Sequence, residues 1–133
     1  MTGTLKRRIL LADDQPDVLR LLAAALTEAG YEVITASDGA EAVRRWREIN
    51  GGDLAILDIL MPSKDGLETI IELRTHSPGV PIIAMSGGGS NDRLDILGDA
   101  KMLGAVLTIQ KPFHSRALLA LVTKALVIAR PED

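Results

Sequence analysis

No cysteine occurs among the 133 residues. The chain therefore has no disulfide framework and no thiolate for nucleophilic or redox chemistry, which suits a reducing, cytoplasmic setting. Aromatic residues are almost absent as well: one Trp, one Tyr and one Phe. A core must then be built from Leu, Ile, Val and Ala. The only two histidines, His76 and His114, have nothing in the sequence to pair with and read as surface residues rather than phosphodonors or metal ligands. No apolar run approaches the roughly 18 residues that span a bilayer, and no signal-peptide pattern opens the chain. Neither sign of charge dominates, and a net charge of -3 argues against nonspecific nucleic-acid binding. The small basic clusters Lys6-Arg7-Arg8 and Arg44-Arg45 read as solvated faces.

What remains is ample apolar sequence, 47% of the chain, with 25% charged residues to cover it. This predicts one domain over 1–133 with a core of about 8–129, frayed ends at the first few residues and at Arg130-Pro131-Glu132-Asp133, and no room for a second, effector domain. Short apolar runs alternate with longer amphipathic ones. Strands are expected at Arg8 to Ala12, Tyr31 to Ala36, Asp53 to Asp58, Val80 to Met85 and Ala105 to Ile109. The first helix begins near Pro16, after Asp14 or Gln15, with Val18, Leu19, Leu22, Ala25, Leu26 and Ala29 at helical spacing and Gly30 as a stop. The second follows Ser37 or Asp38, with Glu41 completing a capping box and Ala42, Val43, Trp46 and Ile49 inward. The third starts near Asp65-Gly66 and carries Leu67, Ile70, Ile71 and Leu73. The fourth lies between about Asn91 and Leu103 and contains Gly98, which costs about 1 kcal/mol against alanine. The fifth runs from about Ser115 to Ala129 with Leu118, Leu121, Val122, Ala125 and Leu126 inward. Five successive βα units imply an α/β fold with a parallel sheet covered by helices on both faces.

The chemistry sits at the strand ends. Ile9-Leu10-Leu11-Ala12 ends in Asp13-Asp14, and Leu54-Ala55-Ile56-Leu57 ends in Asp58. The fourth apolar run ends in Ser86 and the fifth leads into Lys111-Pro112. In a parallel sheet these carboxyl ends share one edge, where ligands of such folds bind. Three crowded carboxylates repel one another and raise their pKa values unless a cation lies among them. A hard divalent cation with oxygen ligands fits. A carboxylate can take a phosphoryl group as a nucleophile. Lys111 can supply a point charge to a phosphoryl oxygen, and Ser86 a hydrogen bond. Gly87-Gly88-Gly89 lacks the Gly-Lys-Ser/Thr that would make it a nucleotide-binding loop.

Asp13-Asp14, Asp58-Ile59-Leu60-Met61-Pro62 with Asp65-Gly66, Ser86, and Lys111-Pro112-Phe113 together resemble the receiver domain of two-component response regulators over about Arg8 to Ala129. The resemblance implies a flavodoxin-like (βα)5 three-layer sandwich with strand order 2-1-3-4-5. It implies that Asp58 accepts a phosphoryl group from a sensor histidine kinase or histidine phosphotransfer protein in a Mg2+-dependent reaction. Asp14 would ligate Mg2+ directly, Asp13 directly or through water, with Asp58 and the backbone carbonyl of Leu60 completing the protein ligands. Ser86 would be the switch hydroxyl, Lys111 would contact the phosphoryl group, and Lys111-Pro112 would be a cis peptide. Such a protein catalyses only its own phosphorylation and dephosphorylation. Its output is altered binding to a downstream protein through the face of helix four, strand five and helix five, as a cytoplasmic monomer or weak dimer without direct contact to nucleic acid or membrane.

One position departs from the family pattern. Three residues before the lysine such domains usually carry Tyr or Phe; here it is Thr108, which has no ring to couple to the hydroxyl. The signal is then expected to pass through Gly87-Gly88-Gly89 and helix four, where glycines permit many backbone conformations. Two other readings compete. One is a Mg2+-dependent phosphatase or phosphotransferase with an aspartyl intermediate, although haloacid dehalogenase-type enzymes place Asp-x-Asp at the first strand and these acids are adjacent. The other is a non-phosphorylated interaction module of the same fold.

Overall fold

A computed structural model of the chain describes residues 6–61, 66–87 and 96–129, the side chains of residues 96 and 97 excepted. The elements in order are β1 (Arg8–Ala12), α1 (Pro16–Glu28), β2 (Glu32–Ala36), α2 (Gly39–Glu48), β3 (Leu54–Asp58), α3 (Gly66–His76), β4 (Ile82–Ser86), α4 (Ile96–Leu103), β5 (Leu107–Gln110) and α5 (Ser115–Ala129). The five strands form one parallel sheet in the order β2-β1-β3-β4-β5. This is the flavodoxin-like α/β sandwich expected from the sequence.

Period-two alternation divides the strand side chains between two cores. Leu10, Ala12, Ala55, Leu57 and Ala84 face one side, where Trp46 of α2, Ile70 and Leu73 of α3 and Ala100 of α4 close over them. Ile9, Leu11, Ile56, Ile83 and Met85 face the other, under Leu22 and Leu26 of α1 and Leu118, Val122 and Ala125 of α5. Strands β3 and β4 are buried at every position. A charged or polar residue at their ends is therefore held by a rigid, desolvated support. Trp46 is fully buried, and its indole N–H donates to Ser77 Oγ at 2.9 Å. That bond ties the end of α2 to the end of α3.

Helix α2 shows how local chemistry sets a boundary. Asp38 is its N-cap and accepts from the Glu41 amide at 2.8 Å. Glu41 reaches back to the Ser37 amide at 2.7 Å, one residue beyond the cap itself. Its carboxyl pKa lies below the ordinary value, first because of that amide hydrogen bond and, against some burial, because of Arg45 and Arg44. Asp38→Ala is expected to cost about 1 kcal/mol in a urea titration, the usual loss for an N-cap acid; no change would mean that Glu41 alone holds the helix start.

Several boundaries differ from the sequence expectation. The fourth strand begins two residues later, because Pro81 has no amide hydrogen for a ladder, and it includes Ser86, which pairs with Gln110. The fifth strand is likewise displaced, to Leu107–Gln110. Of the two residues expected before α1, Gln15 rather than Asp14 is the N-cap, as foreseen for one of them, and it caps without a side-chain bond. Ile49 caps α2 and is only partly buried. On α3 the buried stripe is Gly66, Thr69, Ile70 and Leu73. Ile71 falls outside this i, i+3, i+4, i+7 row and is exposed. Pro62, Asp65, Gly88, Gly89 and the start of the fourth helix at Asn91 lie outside the described residues.

Candidate functional site

The carboxyl edge of the sheet gathers side chains from four strand ends. Asp13 follows β1 and is fully buried. Its amide donates to Ala36 O of β2 at 3.1 Å, and its Oδ1 accepts the Gln15 amide at 2.9 Å. Thus Asp13 is not the N-cap of α1; it bonds the backbone of the residue that is. Asp14 is exposed. Asp58 closes β3 at 4% exposure, and its Oδ1 accepts the Leu60 amide at 3.1 Å. The adjoining Ile59 amide donates to Met85 O of β4 at 2.8 Å, so the turn after β3 is fixed to its neighbour strand.

From the other side comes Lys111. Its amide donates to Ser86 O at 2.7 Å, which places the residue directly past β5. The ammonium donates to Asp13 Oδ2 at 2.6 Å and to Asp58 Oδ2 at 3.1 Å. The Lys111-Pro112 peptide is cis, as the resemblance implied. Ser86 is buried at the end of β4. Thr108 is partly buried on β5 opposite Ala84, on the sheet face that α2, α3 and α4 cover. Leu60 is 61% exposed at the rim of the site.

Charge dominates this edge. Asp13, Asp14 and Asp58 each offer an oxygen within 4.8 Å of the others'. Burial pushes the Asp58 carboxyl above its ordinary pKa; the Lys111 charge pulls it down and the Asp13 charge pushes it up, and the net shift is upward. Burial also opposes the Lys111 charge, but the hydrogen bond to Asp13 and the attraction of Asp58 outweigh it, so its pKa is raised. Three carboxylates and one ammonium leave two uncompensated negative charges. Oxygen-only donors at this spacing match a hard, small dication such as Mg2+ and not a soft metal. The residues present therefore fit the ion that the sequence called for.

Sequence reasoning did not foresee two features. The Gln15 amide holds Asp13, a backbone contact with no residue signature. Gly66, read as a helix start and as part of the family motif, packs directly on the turn that carries Asp58. A groove of about 480 Å3, lined by Val18, Leu21, Leu22 and Phe113 with Gln15 and Lys111 at its polar end, opens beside the acids.

Residues 9–123 match the model of the response regulator receiver domain. The chain is 41% identical over 130 residues to the transcriptional regulatory protein PrrA of Mycobacterium tuberculosis, covering 97% of this chain and 53% of that protein. It is 36% identical over 119 residues to the alkaline phosphatase synthesis transcriptional regulatory protein PhoP of Bacillus subtilis, covering 89% and 48%. The chain thus spans about half the length of these curated relatives. Among solved structures, a CheY-like receiver domain protein from Methanospirillum hungatei superposes with a TM-score of 0.87 at 28% identity, covering 97% of this chain and all of that one. The receiver domain of NtrX from Brucella abortus gives 0.81 at 31% identity, covering 89% and 97%.

Proposed function

The chain belongs to the response regulator receiver domains of two-component systems, and from that premise we propose that it accepts a phosphoryl group on Asp58 from a histidine of a sensor kinase or phosphotransfer protein. The observation that carries this reading is the Lys111 ammonium held between Asp13 and Asp58, beside an acid trio whose oxygens lie within 4.8 Å of one another.

The reaction follows from the groups present. An Asp58 carboxylate oxygen attacks the phosphorus of the donor phosphohistidine. The P–N bond breaks, its electron pair returns to the imidazole, and the ring takes a proton from solvent. Before transfer the carboxylate is oriented at Oδ1 by the Leu60 amide and at Oδ2 by Lys111. Catalysis of this step is mostly positioning and charge neutralisation. Lys111, anchored by Asp13, supplies a cation to a phosphoryl oxygen, and the Ser86 hydroxyl donates a hydrogen bond to another. Asp13, Asp14, Asp58 and the Leu60 carbonyl would hold Mg2+, which supplies positive charge against the phosphoryl oxygens. Attack of water on the acyl phosphate restores the carboxylate and releases phosphate. The protein acts on itself and turns over no separate substrate.

The apolar groove of Val18, Leu21, Leu22 and Phe113 beside Lys111 is the surface on which the donor docks. Output passes to a downstream protein over the α4-β5-α5 face, where Met102 and Leu103 expose apolar surface. With Thr108 in place of a ring, the rearrangement runs through Gly87 and α4. Among the described residues no helix is long and apolar enough to cross a membrane, and the proposed setting is the cytoplasm.

Mass spectrometry after incubation with Mg2+ and acetyl phosphate tests the reading. The wild-type chain gains one phosphoryl group and Asp58→Ala gains none. Equal gain in the variant, or no gain in the wild type, overturns it.

A further inference from the structure

The first residue of α3 lies closer to the phospho-acceptor turn than any side-chain-bearing residue could. A Cβ placed on Gly66 would stand 2.4 Å from Ile59 Cα, 2.8 Å from Asp58 O and 2.9 Å from Ile59 O. All three are backbone atoms, so none can swing aside. Ile59 itself is pinned, 1% exposed, with its amide bonded to Met85 O at 2.8 Å. The Gly66 amide in turn donates to Ile59 O at 2.9 Å. Gly66 is not among the glycines with positive φ, which among the described residues are Gly30, Gly51 and Gly104. Its backbone conformation is open to other residues, so close approach is the reason for glycine at this position.

The contact matters because of what lies on either side of it. Asp58, which precedes Ile59, carries the carboxylate. Leu60, which follows, donates its amide to Asp58 Oδ1 at 3.1 Å. A displacement of Ile59 moves both together, away from Asp13 and Lys111, which are fixed by β1 and β5. We propose that Gly66 is a positioning residue for phosphoryl transfer: by seating α3 on the backbone of Asp58 and Ile59, it sets the Asp58 carboxylate and the Leu60 backbone in register with Asp13, Asp14 and Lys111. This inference rests on the reading of Asp58 as phospho-acceptor and of the acid trio as a cation site. Small octahedral cations tolerate little error in ligand placement, and a misplacement of about 1 Å near a reacting group costs on the order of 100-fold in rate.

The test compares Gly66→Ala with Gly79→Ala and Asp38→Ala in the full chain. Gly79 has open space where a Cβ would go, and Asp38→Ala removes stability at the N-cap of α2 while leaving the seat of Gly66 on Ile59 intact. Mn2+ affinity is measured by electron paramagnetic resonance without phosphodonor, labelling by acetyl phosphate at saturating metal, and folding by circular dichroism. Gly66→Ala is expected to stay folded, to bind Mn2+ at least about tenfold more weakly, and to be labelled about 100-fold more slowly. The two controls keep wild-type values for both, Asp38→Ala despite its lower melting temperature. A folded Gly66→Ala with wild-type affinity and rate overturns the proposal. Should Gly66→Ala not fold, amide shifts of the wild type decide during a Mg2+ titration: Gly66 moving in step with Leu60 supports coupling of α3 to the site, and a stationary Gly66 beside a moving Leu60 overturns it. A wild type that binds neither Mn2+ nor a phosphoryl group instead refutes the underlying reading, and this inference falls with it.

Discussion

Lys111→Met is expected to be the most destabilising change at the site when no divalent cation is present. The ammonium is the only cation hydrogen-bonded to Asp13 and Asp58 among the described residues, at 2.6 and 3.1 Å. Asp13 is fully buried and Asp58 nearly so. Removing the lysine leaves two desolvated carboxylates facing each other, and breaking a buried pair in this way costs about 3 kcal/mol. Methionine keeps the length and packing of the side chain, so the loss is electrostatic. The raised pKa of Lys111 states the same coupling. A basic group with a raised folded pKa contributes stability that is complete below its ordinary value of 10.5 and is lost as the pH climbs through the raised value. The contribution is therefore fully present at neutral pH. Urea titrations in EDTA at pH 7 should show the deficit. Saturating Mg2+ should restore most of it, because a dication among the same oxygens replaces the missing charge and binding adds to stability by mass action. If Lys111→Met matches the wild type in EDTA, the ion pairs contribute nothing to the fold and the electrostatic account of this edge is wrong. Labelling of the variant by acetyl phosphate should also slow, since the group that neutralises a phosphoryl oxygen is gone.

Much of this arrangement was legible from residue order because burial makes it so. An apolar run that ends in an acid, as at Asp13 and Asp58, contrasts sharply with its surroundings, and strands buried on both faces of a parallel sheet read as near-continuous apolar runs. The lysine and the serine were legible by position relative to the last two runs. What could not be read depends on contacts between distant segments. Ser86 belongs to the strand rather than to the loop beyond it, because its neighbour is Gln110 on β5. Ile71 has the hydrophobicity of a core residue, yet the seat of α3 on the sheet is set by Gly66 and Thr69, which bury a different stripe. Asp13 reads from its strand end as a metal-binding acid; only the approach of Lys111, 98 residues away in sequence, shows where its second oxygen is used. Trp46, a simple core residue by pattern, also ties two helix ends through Ser77, a bond that periodicity has no means to signal.

Asp58→Asn should stabilise the metal-free protein, and the pH dependence identifies the cause. The folded pKa of Asp58 is raised above its ordinary value of 3.8, first by burial and further by Asp13, with Lys111 opposing. A carboxyl whose folded pKa is raised binds its proton more tightly in the folded chain than in the unfolded one. Below the ordinary value both states are protonated and Asp58 has no net effect. As the pH rises from there to the raised value, the unfolded chain releases its proton first and folding becomes less favourable. At neutral pH the full cost of the buried charge is in place. Asparagine retains an acceptor for the Leu60 amide and carries no charge, while Lys111 keeps Asp13 as its partner. Asp58→Asn is thus expected to gain about 1 kcal/mol in EDTA at pH 7, the usual yield of relieving one unfavourable group, or a few degrees in melting temperature. The gap should narrow as the pH falls below the raised pKa, where the wild-type carboxyl is also neutral. Mg2+ should reverse the order at pH 7, because the cation needs the carboxylate and stabilises the wild type more. The same proton competes with the metal, so the Mg2+ affinity of the wild type should weaken as the pH falls through the raised pKa of Asp58. Thermal melts at acidic and neutral pH, each in EDTA and in excess Mg2+, measure all four corners. An Asp58→Asn variant no more stable than the wild type at neutral pH in EDTA would mean that Lys111 fully compensates the buried charge. The site would then hold no stored repulsion for a cation to relieve, and Mg2+ affinity would have to come from ligand geometry alone.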